Sequence, residues 1–301
     1  MYNYVHIDEK WFYMTKESQK YYLLPEEDEP LRSCKSKCFI TKVMFLAVVA
    51  RPRYDSANNE EFSGKIGIFP FTFQEPAQRN SKNRTAGTME TKEILSVTKD
   101  VIRSCLINKV FPAMRSKWPR SSNMDPIFIQ QDNARPHINP NDQEFLEDAS
   151  KDGFDIRLSF QPPNSPDFNV LDLGYFRAIQ SLQYRCAPST IDELVQPVQE
   201  SFENLSSENL NYVFLTFQGC MIESMKQLGG NNYKVPHIAK DRLARNGKDE
   251  IIPTPTSNQR IGVTTKKEPS PPSSSVNSPE MESNIHIGPT SAQSSTTENE
   301  M

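Results

Sequence analysis

The stretch that decides the fold is "PIFIQQDNARPHINP", Pro126–Pro140. Its apolar start reads as a buried strand, and Asp132, Arg135, Pro136 and His137 read as the point where that strand leaves the core. A carboxylate in this position has two readings. It can cap the turn formed by Asn133 and Pro136, because Asp accepts hydrogen bonds from nearby backbone N–H groups. It can equally be a ligand for a hard divalent cation.

Outward from this strand, the chain alternates between two periods. Val5 and Ile7 alternate with His6 and Asp8, which predicts a half-buried strand running into Trp11 and Phe12. "KYYLL" (Lys20–Leu24) reads as a short partner, and "FITKVMFLAVV" (Phe39–Val49) as a long central strand. "GKIGIFPFTF" (Gly64–Phe73) continues the sheet, with Pro70 suited to an edge or a strand end.

Thr91–Trp118 carries apolar residues at helical spacing: Ile94, Val97, Val101 and Cys105, widened by Leu95, Ile102 and Leu106. A helix is predicted from Asn141 to Ser150. Phe154, Ile156, Leu158 and Phe160 then alternate with polar residues, as in a strand. After "PPNSPDFN" (Pro162–Asn169), a helix is expected with Leu171, Tyr175, Ala178 and Leu182 on one face. Helical patterns follow from Ile191 to about Leu228, with breaks expected near Pro197 and Ser206. The sum is a mixed α/β fold with a helical extension. Expected boundaries are 1–186 for the α/β domain, 187–250 for the extension and 251–301 for a Ser/Thr/Pro-rich tail. That tail offers too little to bury and is expected to stay disordered.

The 301 residues carry a net charge of −4, which argues against a surface that is basic throughout. Basic runs are local: "KSK" (Lys35–Lys37), "RNSKNR" (Arg79–Arg84) and "AKDRLARNGK" (Ala239–Lys248), each of which also reads as a solvated loop. The start of the chain has no basic and apolar leader pattern, and Val43–Ala50 is too short to span a bilayer, so no membrane partner is expected. Five scattered cysteines fit a reducing compartment. Cys34 and Cys38 lack the second ligand pair that a structural zinc site needs.

Three carboxylates stand where chemistry can use them: Asp8 on the first strand, Asp132 at the end of a later one, and Asp172 at a helix entry. If the two strands are parallel neighbours, Asp8 and Asp132 meet, and a helix packed across the sheet can bring Asp172 to them. Such a set suits Mg²⁺, which takes carboxylate oxygens and leaves room for substrate phosphates. Paired ions of this kind stabilise both the attacking and the leaving oxygen of a phosphoryl displacement. Each acid also has a plainer role: Asp8 as a solvated strand end, Asp132 as a turn cap, and Asp172 as the third helical residue after an Asn169 N-cap. Asp167 competes with Asp172 as the third ligand. Lys10, Arg135 and His137 are candidates for contact with phosphates, although a structural role suits Arg135 and His137 as well.

In this order and spacing, "VHIDEKWF" (Val5–Phe12), "QQDNARPH" (Gln130–His137) and "PPNSPDFNVLDLGYFRAIQSLQ" (Pro162–Gln183) resemble the catalytic segments of Tc1/mariner transposases. The plant mariner-like branch is the nearest, because 39 residues lie between Asp132 and Asp172 (172 − 132 − 1), as in a DD39D triad. The likeness extends from the first residues to about Gly247.

The resemblance implies an RNase H-like (retroviral-integrase-like) catalytic domain. Asp8, Asp132 and Asp172 match the catalytic and metal-binding aspartates, and Asp167 falls into the structural "SPDFN" turn. It further implies Mg²⁺ or Mn²⁺, two ions in all, and cut-and-paste chemistry on DNA. In the family, water cuts the transposon end and the freed 3′-hydroxyl attacks a TA target. A nuclear location, a homodimer and no small-molecule substrate are implied too. The family's N-terminal helix-turn-helix region has no counterpart here, so a truncated copy without end-specific binding is expected. Two other readings stay open. One is an inactive or co-opted interaction protein that uses Ile191–Leu228 as a contact surface. The other is a stand-alone RNase H or nuclease, which needs a further acid; Glu9 is at hand, but strand alternation turns it away from Asp8.

Overall fold

The computed structural model describes residues 1–14, 40–55, 59–82, 84–119, 125–184 and 188–236. Strand β1 (Tyr4–Tyr13) lies at the middle of a five-stranded sheet. On one side it pairs antiparallel with β2 (Lys42–Ala50), which pairs antiparallel with β5 (Lys65–Pro70) at the edge. On the other side it pairs parallel with β8 (Ile127–Gln131), which pairs parallel with the second edge strand, β9 (Ile156–Phe160). Two ribbons stand apart from this sheet: β3 (Arg53–Asp55) with β4 (Glu60–Phe62), and β6 (Thr72–Pro76) with β7 (Met89–Glu93).

The near-continuous apolar text of β2 follows from its position. Alternate side chains enter two different cores, so neither face can be polar. Leu46 and Val48 join Val5, Ile7 and Ile129 beneath helices α1 (Lys99–Cys105), α2 (Phe111–Lys117) and α3 (Gln143–Ala149). Val43, Phe45, Ala47 and Val49 join Phe12 beneath α4 (Phe176–Gln183), α5 (Ile191–Asn204) and α6 (Ser207–Lys226). The C-terminal helices therefore share a core with the sheet: Phe202 and Phe214 are fully buried, and Tyr175 packs edge-on against Phe202 at 5.9 Å. At about 25 cal/mol per Å², each such aromatic ring contributes a few kcal/mol of burial.

Several sequence expectations change here. Thr91 belongs to a strand, and the helix begins only at Lys99, after extended Thr98. Val97 and Leu95 therefore precede the helix, and Leu95 is exposed. The ladder from Thr72↔Glu93 to Pro76↔Met89 outweighs the helical periodicity of this segment. A π-helical turn, Leu106–Val110, joins α1 to α2 just ahead of Pro112, which has no N–H to donate to the preceding turn.

Pro197 does not break α5 either: Leu194, Val198 and Phe202 are buried along one continuous helix, and that packing outweighs one missing bond. The break at Ser206 is present, and its hydroxyl caps α6 by accepting from the Asn209 N–H at 3.1 Å. Phe160, expected to face inward, is exposed at the end of edge strand β9. Pro70 ends edge strand β5, where a missing N–H costs nothing. Lys20–Leu24, the Cys34/Cys38 pair, Lys35–Lys37, Ala239–Lys248 and the tail 251–301 lie outside the described residues.

Candidate active site

The site starts from the β1/β8 register. Val5 stands opposite Ile129 and His6 opposite Gln130; the same register, carried two residues on and just past the end of β8, makes Asp8 level with Asp132. Alternation sets which face they share. His6 packs edge-on against Phe214 and Phe217 of α6, and the Gln130 side-chain amide donates to the Phe168 carbonyl at 2.9 Å. Asp8 shares the parity of His6 and so the α4–α6 side of the sheet, while Asp132 is the first residue past the end of β8.

Asp172 arrives from the helical layer packed on that side. The chain after β9 makes a 3₁₀ turn, Pro166–Phe168, and then a π-helical turn, Leu171–Tyr175, that leads into α4. Gly174 has φ +131° within that turn, a backbone value costly for any other residue. Leu171 and Tyr175 are buried in the core below, which leaves Asp172 at the rim.

Asn169 joins the two layers. Its side-chain amide donates to Asp8 Oδ2 at 2.7 Å and to Asp172 Oδ2 at 2.9 Å, while its Oδ1 accepts from the Leu171 N–H at 3.1 Å. The last bond is the capping role expected from the sequence; the bridge between two carboxylates is not. Burial pushes the Asp8 carboxyl up to about 7; the Asn169 hydrogen bond opposes this, and the charges of Glu9 and Asp172 add to it.

Asp132 is held separately. Its Oδ1 accepts from the Ala134 N–H at 2.8 Å and lies 2.8 Å from His137 Nδ1, which also hydrogen-bonds the Asp132 carbonyl at 2.9 Å. The other ring nitrogen, Nε2, lies 3.1 and 3.2 Å from the two Glu9 carboxylate oxygens. Burial pushes the His137 imidazole down, but the hydrogen bond and charge of Glu9, with Asp132, outweigh it and raise it to about 9. Glu9 does face away from Asp8, as alternation requires, and what it meets there is this histidine. His137 is thus a buried bridge between two acids.

Lys10 is half-buried with its ammonium 5.5 Å from the Phe176 ring, and Arg135 is exposed on the turn. Among the described residues, no three Asp, Glu, His or Cys side chains already surround one point as a metal cage would. The donor set still fits Mg²⁺ or Mn²⁺: hard carboxylate oxygens, two of them joined through one amide, with the third just past the end of a neighbouring strand. Mg²⁺ needs only one or two protein carboxylates besides water and substrate oxygens.

Parallel β1, β8 and β9 beside antiparallel β2 and β5, with helices on both faces, is the RNase H-like fold. No protein-family model matches the sequence, and no curated protein matches it either. Solved structures do. The chain is similar to one described as a pre-cleavage Mos1 transpososome, with 15% identity and a TM-score of 0.51 over 77% of this chain and 57% of that one. It is also similar to the catalytic domain of Mos1 mariner transposase, with 14% identity and a TM-score of 0.42 over 74% of this chain and 82% of that one. A third is the Mos1 mariner paired end complex with Mn, with 15% identity and a TM-score of 0.47 over 73% of this chain and 55% of that one. The chain thus spans a little over half the length of the transposase chains in the complexes. At such identity the likeness is one of fold.

Proposed function

We propose that this chain is the catalytic part of a Tc1/mariner-like DNA transposase of the plant DD39D branch, acting on DNA in the nucleus as a homodimer. One observation supports the proposal: the parallel β1/β8 register of the sheet, carried just past the end of β8, brings Asp132 level with Asp8. The Asn169 bridge from Asp8 to Asp172 supports the third member. The order of the three motifs and the 39-residue spacing support the family and branch.

Asp8, Asp132 and Asp172 are the residues that would hold Mg²⁺ or Mn²⁺. Bound there as a pair, the ions would stabilise charge on the attacking and leaving oxygens of a phosphodiester. The chain's own groups do the rest of the positioning. Asn169 sets the distance between Asp8 and Asp172, the turn Asn133–His137 fixes Asp132, and exposed Arg135 and half-buried Lys10 would meet DNA phosphates. The chemistry is hydrolysis at a transposon end, followed by attack of the freed 3′-hydroxyl on a TA target.

The test is nicking of supercoiled plasmid by the full chain in Mn²⁺. Metal-dependent nicked circles are expected, with at least a 100-fold loss in Asp132→Ala. No cleavage, or equal cleavage by wild type and Asp132→Ala, would sink the catalytic reading. A second reading is a transposase-derived interaction protein without catalysis. The same assay decides between them.

A further inference from the structure

Beyond the three aspartates, we infer that His137, itself held by Glu9, is a positioning residue that orients Asp132 toward a divalent cation; the inference rests on the metal-site reading above. Three geometric facts carry it. First, the His137 side chain is 3% exposed and spans two carboxylates from different strands, Glu9 of β1 and Asp132 beyond β8. A buried ring with both nitrogens engaged cannot swing to meet a DNA phosphate without abandoning two partners.

Second, the contacts on Asp132 are one-sided. His137 and the Ala134 N–H both address Oδ1, and no hydrogen bond reaches Oδ2 among the described residues. One oxygen is anchored and its twin is left for a ligand, while 46% of the side chain remains exposed. Third, Glu9 follows Asp8 directly on β1 and points to the opposite face. One strand therefore offers a ligand on one face and, from the next residue, an anchor for the other strand's ligand. A shift of β1 against β8 would disturb both at once.

A histidine that ties a ligating carboxylate to an outer carboxylate restricts the ligand before the cation arrives. Loss of such a partner typically weakens metal affinity by 10- to 100-fold. Glu9 acts only through His137, so the two should not count twice.

The measurement is Mn²⁺ binding to the full chain by calorimetry, without DNA, for wild type, Glu9→Gln, His137→Gln, the double variant and Asp132→Ala. Urea unfolding in chelator confirms that each variant is folded. We expect His137→Gln to bind Mn²⁺ roughly 10- to 100-fold more weakly. Glu9→Gln should lose part of this, and the double variant should match His137→Gln alone. Losses that multiply in the double variant would mean that Glu9 binds or acts independently, and would overturn the coupling. If His137→Gln and Glu9→Gln bind within twofold of wild type while Asp132→Ala loses binding, the positioning role is refuted and the metal site stands. If Asp132→Ala also binds like wild type, the metal site falls and this inference falls with it.

Discussion

Replacing Asn169 tests the join between the two halves of the site. Its amide donates to Asp8, which is largely buried, and to Asp172 at the rim. A hydrogen bond to an ionised, buried carboxylate contributes about 1.5–3 kcal/mol, and one to a neutral carboxyl about 0.5–1.5 kcal/mol. The exposed bond to Asp172 adds no more than a few tenths of a kcal/mol. The sign follows from Asp8, whose folded-state carboxyl lies near 7, above its ordinary 3.8. A raised acid destabilises the fold as pH climbs from about 4 through 7, and losing Asn169 raises it further.

Asn169→Ala should therefore cost ~1–2 kcal/mol more at pH 8.5, where Asp8 is ionised, than at pH 5, where it is protonated. The lost cap to the Leu171 N–H contributes equally at both values and drops out of the difference. Urea unfolding in chelator, followed by the fluorescence of Trp11 and Trp118, reads both numbers. Asn169→Asp keeps the capping oxygen, loses the donor and adds a negative charge, so it should steepen the same dependence. A cost that is flat between the two pH values, or larger at pH 5, would refute the bridge.

Other expectations follow from the packing. Phe202→Ala should lose about 3–5 kcal/mol in the same assay, because the ring is fully buried between α5 and the sheet and supports Tyr175; a loss under 1 kcal/mol would mean that the helices do not share the core. Burial holds the His6 imidazole down to about 3, so it stays neutral in the fold while the unfolded chain protonates below 6.5. Its contribution is whole above pH 6.5 and is lost as pH falls toward 3, so wild type should lose ~2 kcal/mol more than His6→Leu between pH 7.5 and pH 5; equal losses would refute this. Gly174→Ala meets no neighbouring atom, so its expected cost of about 1–2 kcal/mol is backbone strain alone; Mn²⁺ binding should weaken with it, because Asp172 lies two residues earlier.

Much of the fold was readable because burial writes itself into periodicity. The two-sided apolar text of β2, the alternation of β1 and the buried run of β8 each predict their place in the sheet. The Ser206 break and the edge position of Pro70 were readable from chemistry as local. The Thr91 strand was not, since its partner, Gln74, is a cross-strand neighbour that no helical window contains. Nor was the uninterrupted α5, because the packing of Leu194, Val198 and Phe202 is tertiary.

The site divided in the same way. The level placement of Asp8 and Asp132 was conditional on a parallel pairing that the sequence could only suppose. Asn169 was visible as a cap, and its second role depends on a strand 161 residues away in the chain. The His137–Glu9 contact, 128 residues apart, left no local signal at all.

The parallel pairing of β1 with β8 carries a consequence for how the chain acquires its site. The two strands are joined through β2, β5, both ribbons and α1–α2, so closing them demands one of the longest loop closures in the described fold. Contacts of that range form slowly. Pairing β1 with β8 thus closes a far longer loop than the pairing of β3 with β4 or of β6 with β7. An intermediate with most of its strands paired would have no site, and a local opening that frees β8 and β9 would erase it while leaving the β1–β2–β5 half of the sheet intact.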